Sequence, residues 1–140
     1  MKLGQIHWCR SVLIFGLLLT ACANADSVKQ QPTDAGIARD FHAPYEQVRK
    51  AALQGLTMLK LAPSAQNETS EGYFIQIARP PHGFSWGEVG RIFVERKEAP
   101  QTTVRVLYEK RMAFQFAGSE SGFARNLFAK MDEALAAHAP

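Results

Sequence analysis

The chain has 140 residues, 46% of them hydrophobic, with 16 basic and 13 acidic side chains and a formal charge of +3. That length suits one ordinary domain with its own core. The small charge excess forms no basic stripe of the kind a nucleic-acid binder shows, so nucleic acid is not an expected partner.

The first element is an apolar run, Val12-Leu13-Ile14-Phe15-Gly16-Leu17-Leu18-Leu19, preceded by Lys2 and Arg10. It is about ten residues long, and a membrane span needs about 20. A charged start, an apolar middle and small residues before a cut describe a secretory signal. The run closes on Leu19-Thr20-Ala21-Cys22. These four residues resemble the lipobox of a bacterial lipoprotein precursor. The resemblance implies a signal peptide at 1–21, cleavage after Ala21, diacylglycerol on the Cys22 sulfur and acylation of the new amino terminus, palmitate included. Two or more acyl chains hold a protein stably on a bilayer, so Cys22 would be the membrane attachment. A plain secretory cut at the same place is the alternative, and would leave Cys22 a free thiol. Ala23 and Asn24 follow the cysteine, with no Asp. In lipoproteins of the enteric type this implies the outer membrane, facing the periplasm. The rule varies between bacteria, and the inner membrane stays open.

Cleavage would also remove Lys2, Arg10 and Cys9. The mature chain is then near neutral. With Cys22 blocked by lipid, neither a disulfide nor a cysteine-based metal site is expected, and the core must hold the fold unaided.

Residues 22–36 read as a lipidated cysteine followed by a flexible tether. Asp26, Ser27, Lys29, Gln30, Gln31, Pro32, Thr33, Asp34 and Gly36 offer no apolar face. Residues 37–138 read as one α+β domain. Ile37 and Phe41 share a parity and predict a short lead-in strand. Pro44 suits the first turn of a helix, because its missing N–H costs nothing there. Tyr45, Val48, Ala52, Leu56 and Leu59 then recur at helical steps, with Gly55 a weak point and Pro63 the far limit. Asn67 to Gly72 is turn chemistry. Tyr73 to Ala78 is aromatic and β-branched, and predicts a strand. Val89 to Lys97 predicts another, with Ile92 and Val94 on one face and Arg91, Phe93 and Glu95 on the other. Val104, Val106 and Tyr108 share a parity that continues through Met112, Phe114 and Phe116. A strand that long exceeds the usual length, so a bend or bulge is expected near Glu109-Lys110-Arg111. Ser119 or Ser121 can cap a last helix along Phe123, Leu127, Met131 and Leu135.

The expected architecture is an antiparallel sheet of about four strands, with an N-terminal and a C-terminal helix packed on one face. This outline is similar to small α+β domains of bacterial envelope lipoproteins, including the outer-membrane assembly accessory type. The similarity lies in the order of elements over about 37–138 and transfers no site residue.

Few patterns carry chemistry. Gly83-Phe84-Ser85-Trp86-Gly87 has the G-x-S-x-G spacing of a hydrolase elbow. That elbow needs a helix after the serine, whereas a strand is expected here, and the following histidine, His138, sits at the chain's end. Asp40 and His42 share a strand face, but two ligands do not make a zinc site. No cofactor or metal is expected, and no enzyme. The stretch from Arg79 to Gly87 is long for a hairpin loop. It carries Arg79, Phe84 and Trp86, residue types enriched in interface hot spots. These three are the candidate partner-binding residues, set against the plainer possibility that the rings complete the core. Lys110 and Arg111 suit either anionic headgroups or protection of a sheet edge.

The leading expectation is a membrane-anchored periplasmic lipoprotein that binds an envelope protein as a non-enzymatic accessory module. The alternative is a small-ligand or lipid binder with a cleft lined by Phe114, Phe116, Phe123 and Phe128. A hydrolase built on Ser85 comes third.

Overall fold

The computed structural model describes residues 30–80, 87–98, 100–110 and 119–137. Its elements are β1 (Ile37–Phe41), α1 (Tyr45–Met58), β2 (Pro63–Glu68), β3 (Gly72–Arg79), β4 (Glu88–Arg96), β5 (Thr102–Lys110) and α2 (Glu120–Ala136). The strands form one antiparallel sheet in the order β1-β5-β4-β3-β2. β2 to β5 follow one another as a meander. β1 closes the far side against β5, so α1 must carry the chain across the sheet from one edge to the other.

Alternation along the strands sets the two faces. Ile75, Ile77, Ile92, Val94, Val104 and Val106 share one face and lie in a single apolar cluster with side chains of both helices. Val48, Ala52 and Leu56 come from α1, and Leu127, Phe128 and Met131 from α2. The α+β class and the antiparallel sheet are therefore as the sequence pattern predicts.

Among the described residues the sheet has five strands, against the expected about four. The additional one is β2, Pro-Ser-Ala-Gln-Asn-Glu, five of whose six residues are exposed. No apolar alternation marks it, because it is an edge strand held by its backbone pairing to β3. Glu68 fixes its end. The carboxylate accepts from Arg49 Nη1 at 2.9 Å and Arg96 Nη2 at 3.1 Å, and from the Tyr45 hydroxyl at 3.3 Å. One acidic side chain thus ties β2 to α1 and β4. Burial, followed by the Glu68 charge, pushes the Tyr45 phenol pKa upward.

Helix ends follow local chemistry. Pro44 stands as the N-cap of α1, one place earlier than the first turn, and its carbonyl accepts from Gln47 and Val48. The helix stops at Met58, short of Pro63. Lys60 takes a left-handed φ of 58°, Lys60 N donates to Thr57 O, and Leu61 N donates to Leu56 O. This is the Schellman arrangement, here with a lysine where glycine is usual. Ser119 caps α2, its hydroxyl accepting from Gly122 N at 3.0 Å.

Gly55, which weakens α1 on propensity alone, has a packing reason. A Cβ there would stand 3.1 Å from Leu127 Cδ1 and 3.3 Å from Met131 Cγ, so the glycine sets how closely the helices approach. Gly55→Leu should therefore lower stability by about 1–3 kcal/mol through overpacking, read as a shift in the urea midpoint at unchanged slope.

Candidate functional site

The helices cover one face of the sheet. The opposite face carries Phe74 and Gln76 of β3, Val89, Arg91 and Phe93 of β4, and Thr103, Arg105 and Leu107 of β5. An antiparallel sheet commonly leaves such a face to water. Here Val89, Arg91, Phe93 and Leu107 are buried, because residues 31–35 lie against Val89, Arg91 and Leu107 and Phe93 is stacked on Phe74.

Arg91 holds this arm. It is 6% exposed. Its Nη1 donates to Gln31 O at 2.7 Å and its Nη2 to Pro32 O at 2.6 Å. Arg105 Nη1 reaches Asp34 O at 3.4 Å. Ala35 packs with Ala78 against Val89 and Leu107. Gly36 then turns the chain into β1 at φ +99°, against the Val106 backbone, where a side chain would collide. The stretch 22–36 reads as a tether from composition, and 31–36 is where that composition is answered by backbone contacts instead. Polar side chains with no apolar face still present carbonyls, and a buried guanidinium needs acceptors. Burial draws the Arg91 pKa below its ordinary value, with the Glu109 charge opposing.

Beside the arm lies a groove of about 290 Å³. Gln31 and Thr33 form one wall, and Ala65, Gln66 and Asn67 of β2 the other, with Phe74, Gln76 and Arg91 beneath. Phe74 stacks on Phe93 at 4.1 Å between centroids and 13° between planes, which fixes an aromatic floor. Among the described residues the groove thus joins an apolar base to a rim of amide residues and Thr33. Such a lining binds by shape and neutral hydrogen bonds. Among the described residues no cluster of three or more His, Cys, Asp or Glu side chains is placed to hold a metal ion.

Of the candidate partner-binding residues, Arg79 ends β3 on the helix face of the sheet. Its Nη1 stands 3.3 Å from Glu88 Oε2, and Glu88 is 3% exposed. The Tyr108 hydroxyl donates to the same carboxylate. Burial, then this bond and the Glu88 charge, push the Tyr108 phenol well above the ordinary tyrosine range. Phe84 and Trp86 lie outside the described residues, as do Ser85, Phe114, Phe116 and Cys22. The groove and Arg79 are on opposite faces, so the structure does not bring them together. Phe123 stacks on Tyr108 at 4.5 Å, and Phe128 meets Phe41 edge-on at 5.9 Å. Both rings are committed to packing rather than to an open cleft. β1 pairs with β5 only as far as Val106. Beyond it, among the described residues, β5 has a strand partner on the β4 side alone.

The groove residues escape a sequence search because they come from the arm and three strands. One signal was present. Phe74, Arg91 and Phe93 sit on the off-core parity of their strands, where solvent-facing residues are expected, and two large rings there imply a covered face.

Arg91→Met should leave two arm carbonyls unpaired and cost about 2–3 kcal/mol. It should also speed protease cleavage within 31–35 at least tenfold, while cleavage within α1 changes less. A second expectation concerns pH. A phenol whose folded pKa exceeds its unfolded value contributes stability that is complete below about pH 10 and is lost as pH rises toward the folded value. Urea midpoints should therefore fall above about pH 10, and fall less steeply in Tyr108→Phe.

Compared with known proteins, the chain matches no family model and none of the curated sequences.

Proposed function

We propose that this chain is a lipid-anchored, non-enzymatic module of the bacterial envelope that binds a protein partner from the periplasmic side of the outer membrane. The observation that supports binding is the groove on the outer sheet face, one wall of which is the arm leading back toward Cys22. About nine residues separate Cys22 from Gln31, and at roughly 3.3–3.6 Å each they reach at most about 30 Å. An anchor on Cys22 would keep the groove within that distance of the bilayer. Confinement near the membrane raises effective concentration, so a modest surface suffices. The lipobox resemblance supports the anchor and the address.

A small-ligand or lipid binder is the alternative. A volume of about 290 Å³ lies at the lower end for small-molecule sites, which favours a side chain of a larger partner as the occupant.

In cells, the full chain should incorporate labelled palmitate and sediment with outer membranes, and Cys22→Ala should abolish both. Retained labelling in Cys22→Ala removes the anchor assignment. A photo-crosslinker at Thr33 of the anchored chain should give a dominant protein adduct. Adducts with lipid alone, or none, count against a protein partner.

A further inference from the structure

The two edges of the sheet differ. At the β1 edge, Arg39 and Asp40 are charged, and Arg39 forms a two-pronged bond to Asp132 of α2, with Nη1–Oδ2 and Nη2–Oδ1 both at 2.9 Å. Charged residues of this kind discourage another strand from pairing. β2 has no lysine or arginine, and its only charge, Glu68, is turned to Arg49 and Arg96. Pro63 and an irregular register between Pro63 and Ala65 blunt its start. From Ala65 to Glu68 the pairing with β3 is regular. On its other side no strand of the described residues pairs with it. Edge N–H and C=O groups left this way form a row of alternating donors and acceptors, which an extended polypeptide matches in spacing.

The groove opens directly beside this edge. Ala65 and Asn67 lie on the outer face, across from Gln76 and Phe74. The short Ala65 side chain leaves room for a bulkier neighbour above Phe74. Among the described residues the groove is lined by no carboxylate, and the one cation there, Arg91, directs both Nη atoms to arm carbonyls. Charge complementarity therefore favours a neutral occupant with an apolar side chain for the aromatic floor. Alternation along an added strand would send every second side chain to the groove side.

We infer that β2 and the adjoining groove take an extended, uncharged segment of a partner protein by strand addition. This rests on the partner-binding reading above and specifies the chemistry of the partner.

The test uses the full-length lipidated chain in detergent micelles and an array of synthetic ten-residue peptides, half uncharged and rich in β-branched and aromatic residues, half with alternating charges. Uncharged members should bind saturably by fluorescence anisotropy, and charged ones at least tenfold more weakly. Bound peptide should slow amide hydrogen exchange at 65–68 at least tenfold. Asn67→Lys places a charge on the edge at an exposed position and should weaken binding at least tenfold with an unchanged melting temperature. Ser70→Lys, in the turn beyond the strand, should leave binding intact. The inference is overturned if no peptide binds, if binding ignores Asn67→Lys, or if slowed exchange at 65–68 accompanies self-association, which would make the occupant a second copy. In cells, an adduct from Thr33 that persists undiminished in Asn67→Lys overturns strand addition while leaving the partner reading standing. Loss of every protein adduct overturns both.

Discussion

A sheet has two faces, and two helices of this length cover only one. The fold depends on how the second face is closed. β4 runs through the middle of the sheet, and its outward residues Val89, Arg91 and Phe93 are too apolar, or too deeply placed, to be left to water. Among the described residues, the crossing arm at 31–35 does this. Arg91 makes that possible. Its guanidinium is buried, so it needs acceptors, and the arm supplies two carbonyls at 2.7 and 2.6 Å. Charge-assisted bonds of this length are roughly twice as strong as neutral ones.

The same arrangement creates the site. An arm laid across β4 and β5 leaves the β3–β2 side of the face partly open, and the groove is the remainder. Its floor is rigid because Phe74 rests on Phe93 within the sheet. Its walls differ in kind. One is a backbone strap clamped at Arg91, and the other is an edge strand pinned at its end by Glu68. Changes at Arg91 act on the arm wall, whereas changes at Asn67 act on the edge. The helix face plays a separate part, with Arg79 and Tyr108 grouped around the buried Glu88 carboxylate at the other end of the hairpin.

Much of the helix-facing half was legible in the sequence. The steps of three and four in Tyr45, Val48, Ala52 and Leu56, and the alternation of Ile92, Val94, Val104 and Val106, report burial against one common core, and burial leaves a period. β2 leaves none, since it is held by backbone pairing and one carboxylate. The arm leaves none either, since its contacts are carbonyls, which every residue carries.

The sequence by itself determined the class of fold, the two amphipathic helices, the faces of the central strands and the lipobox resemblance at Cys22. Each is written in residue type and local spacing. The tertiary structure alone decided that a fifth strand forms the open edge, that Gly55 is a contact point between helices, and that Arg91 reaches back to Gln31 and Pro32. Arg91 and Gln31 are 60 positions apart, and Gly55 and Met131 further still. These features depend on backbone groups and close approach, and local spacing does not encode either.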